Sequence, residues 1–501
     1  MKRFINYIVV STLILGTSSC EKFLDVNDNP NSPTSETLPL NAKLAAPLLS
    51  SAIQETGQLN QIGALWAGYW GTNNEGISQF VDLKTYNGPA IRHQRDGIPV
   101  WEDGFNNLLY YQLLKEEALA ENEYYYAGLS KIMQGWHFLR LVDMYNNIPF
   151  DDALQGTKNP TPRYEAGSVV YEKAINLITD GIQDMKNTIP GTEAGTDDIL
   201  FQGNKSSWIK FANTIKLRAL LRQSEVGNNA YIQAELLKIR NEGSGFLNTG
   251  ENAFIQPGYT TSNANSFWTA NYRVVGGATS QNHQNVRPTE YLLEQYELRA
   301  DPRLPKLYVA VGGAYKGVRF GNPSVTPDYA AAATSPFKGP NENANQPAAL
   351  FKSAIQPLVL MGSFESLFLQ AEAAQRGWTD GDAASLYQSA IQESFKYMEV
   401  AASEFTGYYA QTTVNFNDAT NKIERIIEQK WLALNSISSL EAWNDYRRLG
   451  IPAVPNSLEA PTPQSRPLRL MYPETERMTN NENASLQGSD DMISAKVWWD
   501  Q

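Results

Sequence analysis

The sequence predicts a mainly α-helical protein in which helix pairs carry a loop-rich face with minor β-strands. Three observations predict it. Apolar residues recur at helical spacing through most of the chain, Gly, Pro and Asn break those runs into paired blocks, and one long stretch, 241–357, loses the pattern. The chain has 501 residues, 42% of them apolar and 19% charged, enough to bury a large core.

In chain order, Lys2 and Arg3 precede an apolar run from Phe4 to Leu15 and the small residues Gly16, Thr17, Ser18 and Ser19. That run is too short for the ~20 apolar residues that cross a bilayer, so residues 1–19 read as a signal peptide. Cys20 follows and is the only cysteine, which excludes an intramolecular disulfide, a Cys-rich zinc site and a CxxC redox motif. Its position is similar to the lipobox of bacterial lipoproteins, which implies lipidation of Cys20 and attachment to a membrane through acyl chains. Residues 20–36 are polar and rich in turn formers and read as a tether; residues 37–501 read as a single domain. Asp25, Asn27, Asn29, Asn31 and Glu36 fall at calcium-loop offsets, but Pro30 occupies the position where the turn needs Gly, and no metal is expected.

Residues 38–70 carry Leu44, Leu48, Leu49 and Ile53 and, beyond Gly57, Leu59, Ile62 and Leu65, which predicts two helical stretches running into a turn near Gly71. Helices are predicted over 99–120 and 127–145, the second striped by Leu129, Ile132, Met133, Trp136, Leu139 and Met144 and ended by Pro149. Val169 to Met185 follows a Pro/Gly linker. Three later blocks repeat a helix, a break and a second helix: Trp208 to Ser224 with Tyr231 to Arg240, Phe364 to Arg376 with Ala383 to Met398, and Ile423 to Leu434 with Leu440 to Leu449. Tyr171, Ala174 and Ile175 repeat as Tyr387, Ala390 and Ile391, the self-similarity of degenerate tetratricopeptide-like pairs. Stacked pairs leave one surface free to dock a partner. The stretch 241–357 is too long for idle spacer and is expected to contribute to the binding surface.

With 41 Lys plus Arg against 53 Asp plus Glu, the net charge of -12 lacks the footprint of a phosphate-backbone binder, so no nucleic acid partner is expected. No phosphate-loop, dinucleotide-binding, HExxH or GxSxG pattern occurs, and His93, His137 and His283 stand far apart. No catalytic residue, metal or cofactor is therefore assigned. Carboxylate pairs for glycoside hydrolysis remain an alternative that sequence does not locate.

The carboxy-terminal third is more specific. The run Ile426 to Leu434, then Glu441-Ala-Trp443-Asn-Asp445-Tyr-Arg447-Arg448-Leu-Gly450, then Arg469-Leu-Met-Tyr472-Pro473-Glu474 with Glu476 and Asn480, resembles the SusD/RagB family of nutrient-binding outer-membrane lipoproteins. Asp143 to Phe150, Trp208 to Arg218, Asp301 to Pro305 and Phe364 to Trp378 extend the likeness over nearly the whole chain past the leader. The resemblance implies a helical fold with tetratricopeptide-like pairs and a loop-rich ligand face. It also implies a non-catalytic role on the cell exterior, an oligosaccharide or peptide ligand, and a SusC-like TonB-dependent outer-membrane barrel as partner. Read as residues, the Glu441 to Arg448 string is expected to form ion pairs and helix packing, since positions i, i+3 and i+4 are neighbours.

A sugar offers CH faces that stack on aromatic rings and hydroxyls that need donors and acceptors. The chain holds 25 Tyr and 11 Trp, and two segments place such rings beside amides. The first is Trp66, Tyr69, Trp70, Asn73, Asn74 and Tyr86, with Glu75 and Gln79. The second is Asn265, Trp268 and Tyr272, with Asn263, Phe267 and Asn271. These are the candidate ligand contacts; the same rings could instead anchor loops to the body.

Overall fold

The structure, a computed structural model, describes residues 38–341 and 346–500; Cys20, the leader over 1–19 and the tether over 20–36 lie outside the described residues. Helix α1 (Leu40–Gln54) buries Leu40, Leu44, Leu48 and Ala52, a stripe at i, i+4 spacing. It passes through one π turn at Glu55–Leu59, where Gly57 leaves helical backbone angles, and continues as α2 (Asn60–Trp66). Helices α3 (Val100–Glu121) and α4 (Tyr124–Tyr145) form an antiparallel pair whose turn uses Asn122 in the left-handed region, φ 61°. Nearly every side chain of α4 is buried, which makes it the central helix of the body.

Helix α5 (Gly167–Asn187) packs along α4 so closely that the two backbones meet. A Cβ on Gly128 would lie 2.8 Å from the Gly181 carbonyl oxygen, and one on Gly181 would lie 2.7 Å from that of Gly128. The remaining pairs are α6 (Lys205–Arg222) with α7 (Asn229–Glu242), then, after the short helix α8 (Glu290–Leu298), α9 (Ser363–Gln375) with α10 (Ala383–Tyr397), and α11 (Lys422–Leu434) with α12 (Ser439–Leu449). Asn204, Asp382 and Asn421 cap α6, α10 and α11, each side-chain oxygen accepting from the backbone N–H three residues on. The repeated residues share a place: Tyr171, Ala174 and Ile175 on α5, and Tyr387, Ala390 and Ile391 on α10, are all buried, each set on a helix packed against the one before it. The mainly α prediction holds, and the strands are minor as expected. β1 (Trp70–Thr72) pairs antiparallel with β3 (Val286–Pro288), and β2 (Ala253–Ile255) pairs antiparallel with β4 (Leu358–Met361). Within 241–357 the chain also forms helices where the sequence predicts loop, α8 among them.

Charged side chains tie the helices together at the centre. Glu441 on α12 accepts from Arg140 of α4 (2.6 Å) and from Arg222 of α6, and lies 3.4 Å from Arg218 of α6. Arg140 also grips Glu55 in the π turn, at 2.6 and 2.8 Å. Asp445 joins Lys430 of α11 (2.8 Å) to Arg448 (3.0 Å), and Arg448 reaches Glu372 of α9. The string Glu441 to Arg448 is thus a packing and ion-pair device, as its spacing predicted. Burial pushes the Glu441 carboxyl up, and the Arg218, Arg222 and Arg140 guanidinium groups more than reverse that, holding it well below the usual carboxylate range. The carboxy-terminal segment closes over this centre: Trp499 donates to Asp143 (2.8 Å), and Arg447 lies between the rings of Trp443 and Trp499, 3.7 and 4.6 Å from their centroids. Among the described residues no helix is long and apolar enough to cross a membrane.

Candidate ligand cleft

An open cavity of the loop-rich side is built around α8. Thr289 starts that helix: its hydroxyl accepts from the Leu292 N–H (3.1 Å) and donates to the Gly68 carbonyl (2.6 Å). The extended segment Tyr315 to Phe320 runs beside it, Val318 N–H donating to Pro288 O and Glu290 N–H to Val318 O, each at 3.0 Å. Alternation along this segment puts Val318 and Phe320 into the core and leaves Tyr315 and Arg319 toward solvent. Gly317 lies between them because nothing larger fits: a Cβ there would sit 2.6 Å from the Glu290 nitrogen.

The loop after Phe320 forms the far wall, and polar side chains from earlier in the chain hold it. Asn74 takes both backbone groups of Thr326, donating to its carbonyl and accepting from its N–H. Glu75 accepts from Ala331 N–H (3.1 Å), and Arg287 donates to Thr334 Oγ1 (3.0 Å) and to Ala331 O (3.3 Å). Tyr329 then reaches back and donates to Glu290 Oε1 at 2.7 Å. The result is a cleft of about 420 Å³ lined by Glu290, Glu294, Glu297, Tyr315, Asp328 and Tyr329. Its volume falls within the ~300–1,000 Å³ of small-molecule sites.

Chemically the cleft offers two half-buried phenol rings and several carboxylates. Burial, then the hydrogen bond to Glu290, pushes the Tyr329 hydroxyl up to about 12, and burial followed by the Glu297 charge raises that of Tyr315. Both rings stay neutral. Ring faces suit the CH face of a sugar, and carboxylate oxygens accept from its hydroxyls. Among the described residues no group of three or more His, Cys, Asp or Glu side chains could hold a metal.

The nine residues singled out from the sequence lie elsewhere, and the expectation of an open ring platform needs correction. Trp66, Tyr69, Trp70 and Tyr86 are buried, and their polar atoms are spent: Trp66 on Leu83 O (3.0 Å), Tyr69 on Trp431 O (2.6 Å), Trp70 on Ser436 Oγ (2.8 Å) and Tyr86 on Asn456 Oδ1 (2.6 Å). Asn73 is buried and donates to Gln284 O (2.8 Å) while accepting from Gly76 N–H (3.0 Å). Asn265 caps a short helix by accepting from Trp268 N–H (2.9 Å) and donates to Gln356 O (2.8 Å). Trp268 and Tyr272 pack edge to face at 4.6 Å, and Tyr272 stacks on Phe351 at 5.2 Å, so this pair anchors its segment to the core. Asn74 bears on the cleft through the loop it holds, as does Glu75 beside it. The sequence does not mark Glu290, Tyr315 and Tyr329, because no spacing announces that a helix, the extended segment beside it and a loop converge.

A SusD-like family model described as "Starch-binding associating with outer membrane" matches residues 34–473. Solved structures share the fold at low sequence identity. A SusD homologue from Bacteroides uniformis is 22% identical with a TM-score of 0.72, over 92% of this chain and 99% of that chain. A chitin-binding SusD homologue from Flavobacterium johnsoniae is 22% identical with a TM-score of 0.72, over 92% and 98%. A SusD homologue from Bacteroides fragilis is 19% identical with a TM-score of 0.76, over 93% and 100%. A search of curated proteins finds no match.

Proposed function

The chain belongs to the SusD-like family, whose members associate with the outer membrane, and from that premise we propose that it binds an oligosaccharide without turning it over and delivers it to a SusC-like TonB-dependent barrel. The observation that carries the ligand class is the α8 cleft, where Tyr315 and Tyr329 offer ring faces beside the carboxylates of Glu290, Glu294 and Glu297. The sequence around Cys20 supports a lipid anchor, and the paired helices leave a broad surface for the barrel.

The test is calorimetric titration of the whole chain with maltooligosaccharides and chitooligosaccharides. Tyr329→Ala and Tyr315→Ala are expected to weaken binding by about tenfold each, the ~1.4 kcal/mol of one lost ring contact. Binding of peptides only would make the ligand a peptide of the same uptake system, and release of shortened glycans would make the protein a hydrolase; either result overturns the reading. Labelling with a palmitate analogue, lost in Cys20→Ala, tests the anchor. Recovery of a barrel with the tagged protein from its own membranes tests the partner.

A further inference from the structure

The cleft continues past Glu290. A second cavity of about 170 Å³ lies on the other side of Glu290 and Glu294, which line both, and Tyr291, Arg319, Phe320 and Asn456 help to enclose it. Two features set the cavities side by side along one run of chain. Helix α8 supplies a wall to each, and the segment beside it passes from one to the other without a break: Lys316 and Gly317 line the first, Val318, Arg319 and Phe320 the second. At ~3.3 Å per residue, the segment from Tyr315 to Phe320 runs ~17 Å. The smaller cavity is below the ~300 Å³ at which separate small-molecule sites begin. It is a further compartment, not a site of its own.

The two compartments differ in chemistry. The first presents carboxylate acceptors and the Tyr315 and Tyr329 rings. The second presents the half-buried Tyr291 ring and the exposed Arg319 guanidinium, which forms no ion pair with any described residue and can donate to a ring or acetyl oxygen. Asn456 serves only as wall, because its amide donates to Pro463 O and Ser465 O and its oxygen accepts from Tyr86. We propose that a single extended oligosaccharide occupies both compartments, one portion over Tyr315 and Tyr329 and the next over Tyr291 and Arg319, so that the protein selects its ligand by chain length. This rests on the oligosaccharide reading above and adds where the chain runs and which residues measure it.

The test extends the calorimetric ladder from disaccharide to hexasaccharide, with Tyr291→Ala and, as a variant at an exposed position, Arg319→Ala. Wild-type affinity is expected to rise at least tenfold along the ladder. Both variants should bind the disaccharide within threefold of wild type yet lose most of that rise, whereas Tyr329→Ala should weaken every length alike. Affinity that does not change with length, or variants that weaken short and long ligands equally, overturns the proposal and leaves the oligosaccharide reading standing. Binding of neither ladder at any length removes that reading and the proposal with it.

Discussion

Replacing Glu441 with Gln keeps the shape of the side chain and removes one charge from the centre of the body. The three guanidinium groups around it do not suffer equally. Arg140 keeps both oxygens of Glu55, at 2.6 and 2.8 Å, and Arg218 keeps Glu365 at 3.2 Å. Arg222 is the one left short, its nearest remaining carboxylates being Asp143 at 3.5 Å and Asp445 at 3.9 Å. The expected cost is therefore that of a single uncompensated buried charge, about 3–5 kcal/mol, not three times that. Reversible urea unfolding at neutral pH measures it. Glu117→Gln, which breaks the more exposed Lys43 pair, is the control and should cost no more than ~1 kcal/mol. The pH dependence supplies a second reading. Because the folded state holds the Glu441 carboxyl below its unfolded value, its contribution is complete above ~4.3 and is lost as pH falls through the folded value, so wild type and Glu441→Gln converge in acid. A Glu441→Gln protein within ~1 kcal/mol of wild type at neutral pH would refute the view that this network holds the helix pairs together.

Two further predictions concern the body. Tyr69→Phe leaves the buried Trp431 carbonyl without its donor and should cost about 1–3 kcal/mol by the same urea assay, with Tyr296→Phe, which donates to Leu432 O, costing a similar amount; no change in either would mean that other donors reach those carbonyls. Burial, then the Arg140 charge, pushes His137 down to about 3, and burial, then Arg287, pushes His283 down to about 4. Both are neutral when folded and gain a proton on unfolding below ~6.5. Stability is thus whole above that value and should fall with pH by up to ~1.4 kcal/mol per unit for each histidine, a slope that His137→Gln reduces by one proton; an unchanged slope would show that His137 titrates normally.

How far the sequence is legible follows the range of the interactions. The helix pairs are written locally: the stripe Leu129 to Met144 marks α4, and Val169 to Met185 reads within two residues of the observed Gly167–Asn187. Helix α8 is legible in principle, with Thr289 as cap and Leu292, Leu293 and Tyr296 on one face, but its nine residues sit among turn formers that predict loop. The cleft was not legible. Asn74 meets Thr326, and Arg287 meets Thr334, only after the fold closes. Composition pointed to a Tyr and Trp surplus and left open whether the rings face ligand or core.

The fold resolves that question in favour of packing for most of the rings, and helix ends explain why. Helix α11 stops at Leu434 inside the body, where the carbonyls of its last turn have no intrahelical donor and no access to water. Tyr69 supplies a hydroxyl to Trp431 O and Tyr296 one to Leu432 O, while Trp431 returns its indole N–H to the Ala67 carbonyl at the end of α2. Trp66 serves Leu83 near the end of a short helix in the same way, and Tyr387 serves Val414 in a turn. An aromatic residue with a polar handle suits this task because its ring fills the core while one atom satisfies a stranded carbonyl. Phe could pack there but would strand the acceptor, and Ser would satisfy the acceptor but leave a cavity. A protein that stacks many short helix pairs buries many helix ends, and so needs many such side chains before any are left for a ligand. Tyr315 and Tyr329 are recognisable as candidates for that second role because they stand half-buried at an open cleft instead of beneath a helix terminus.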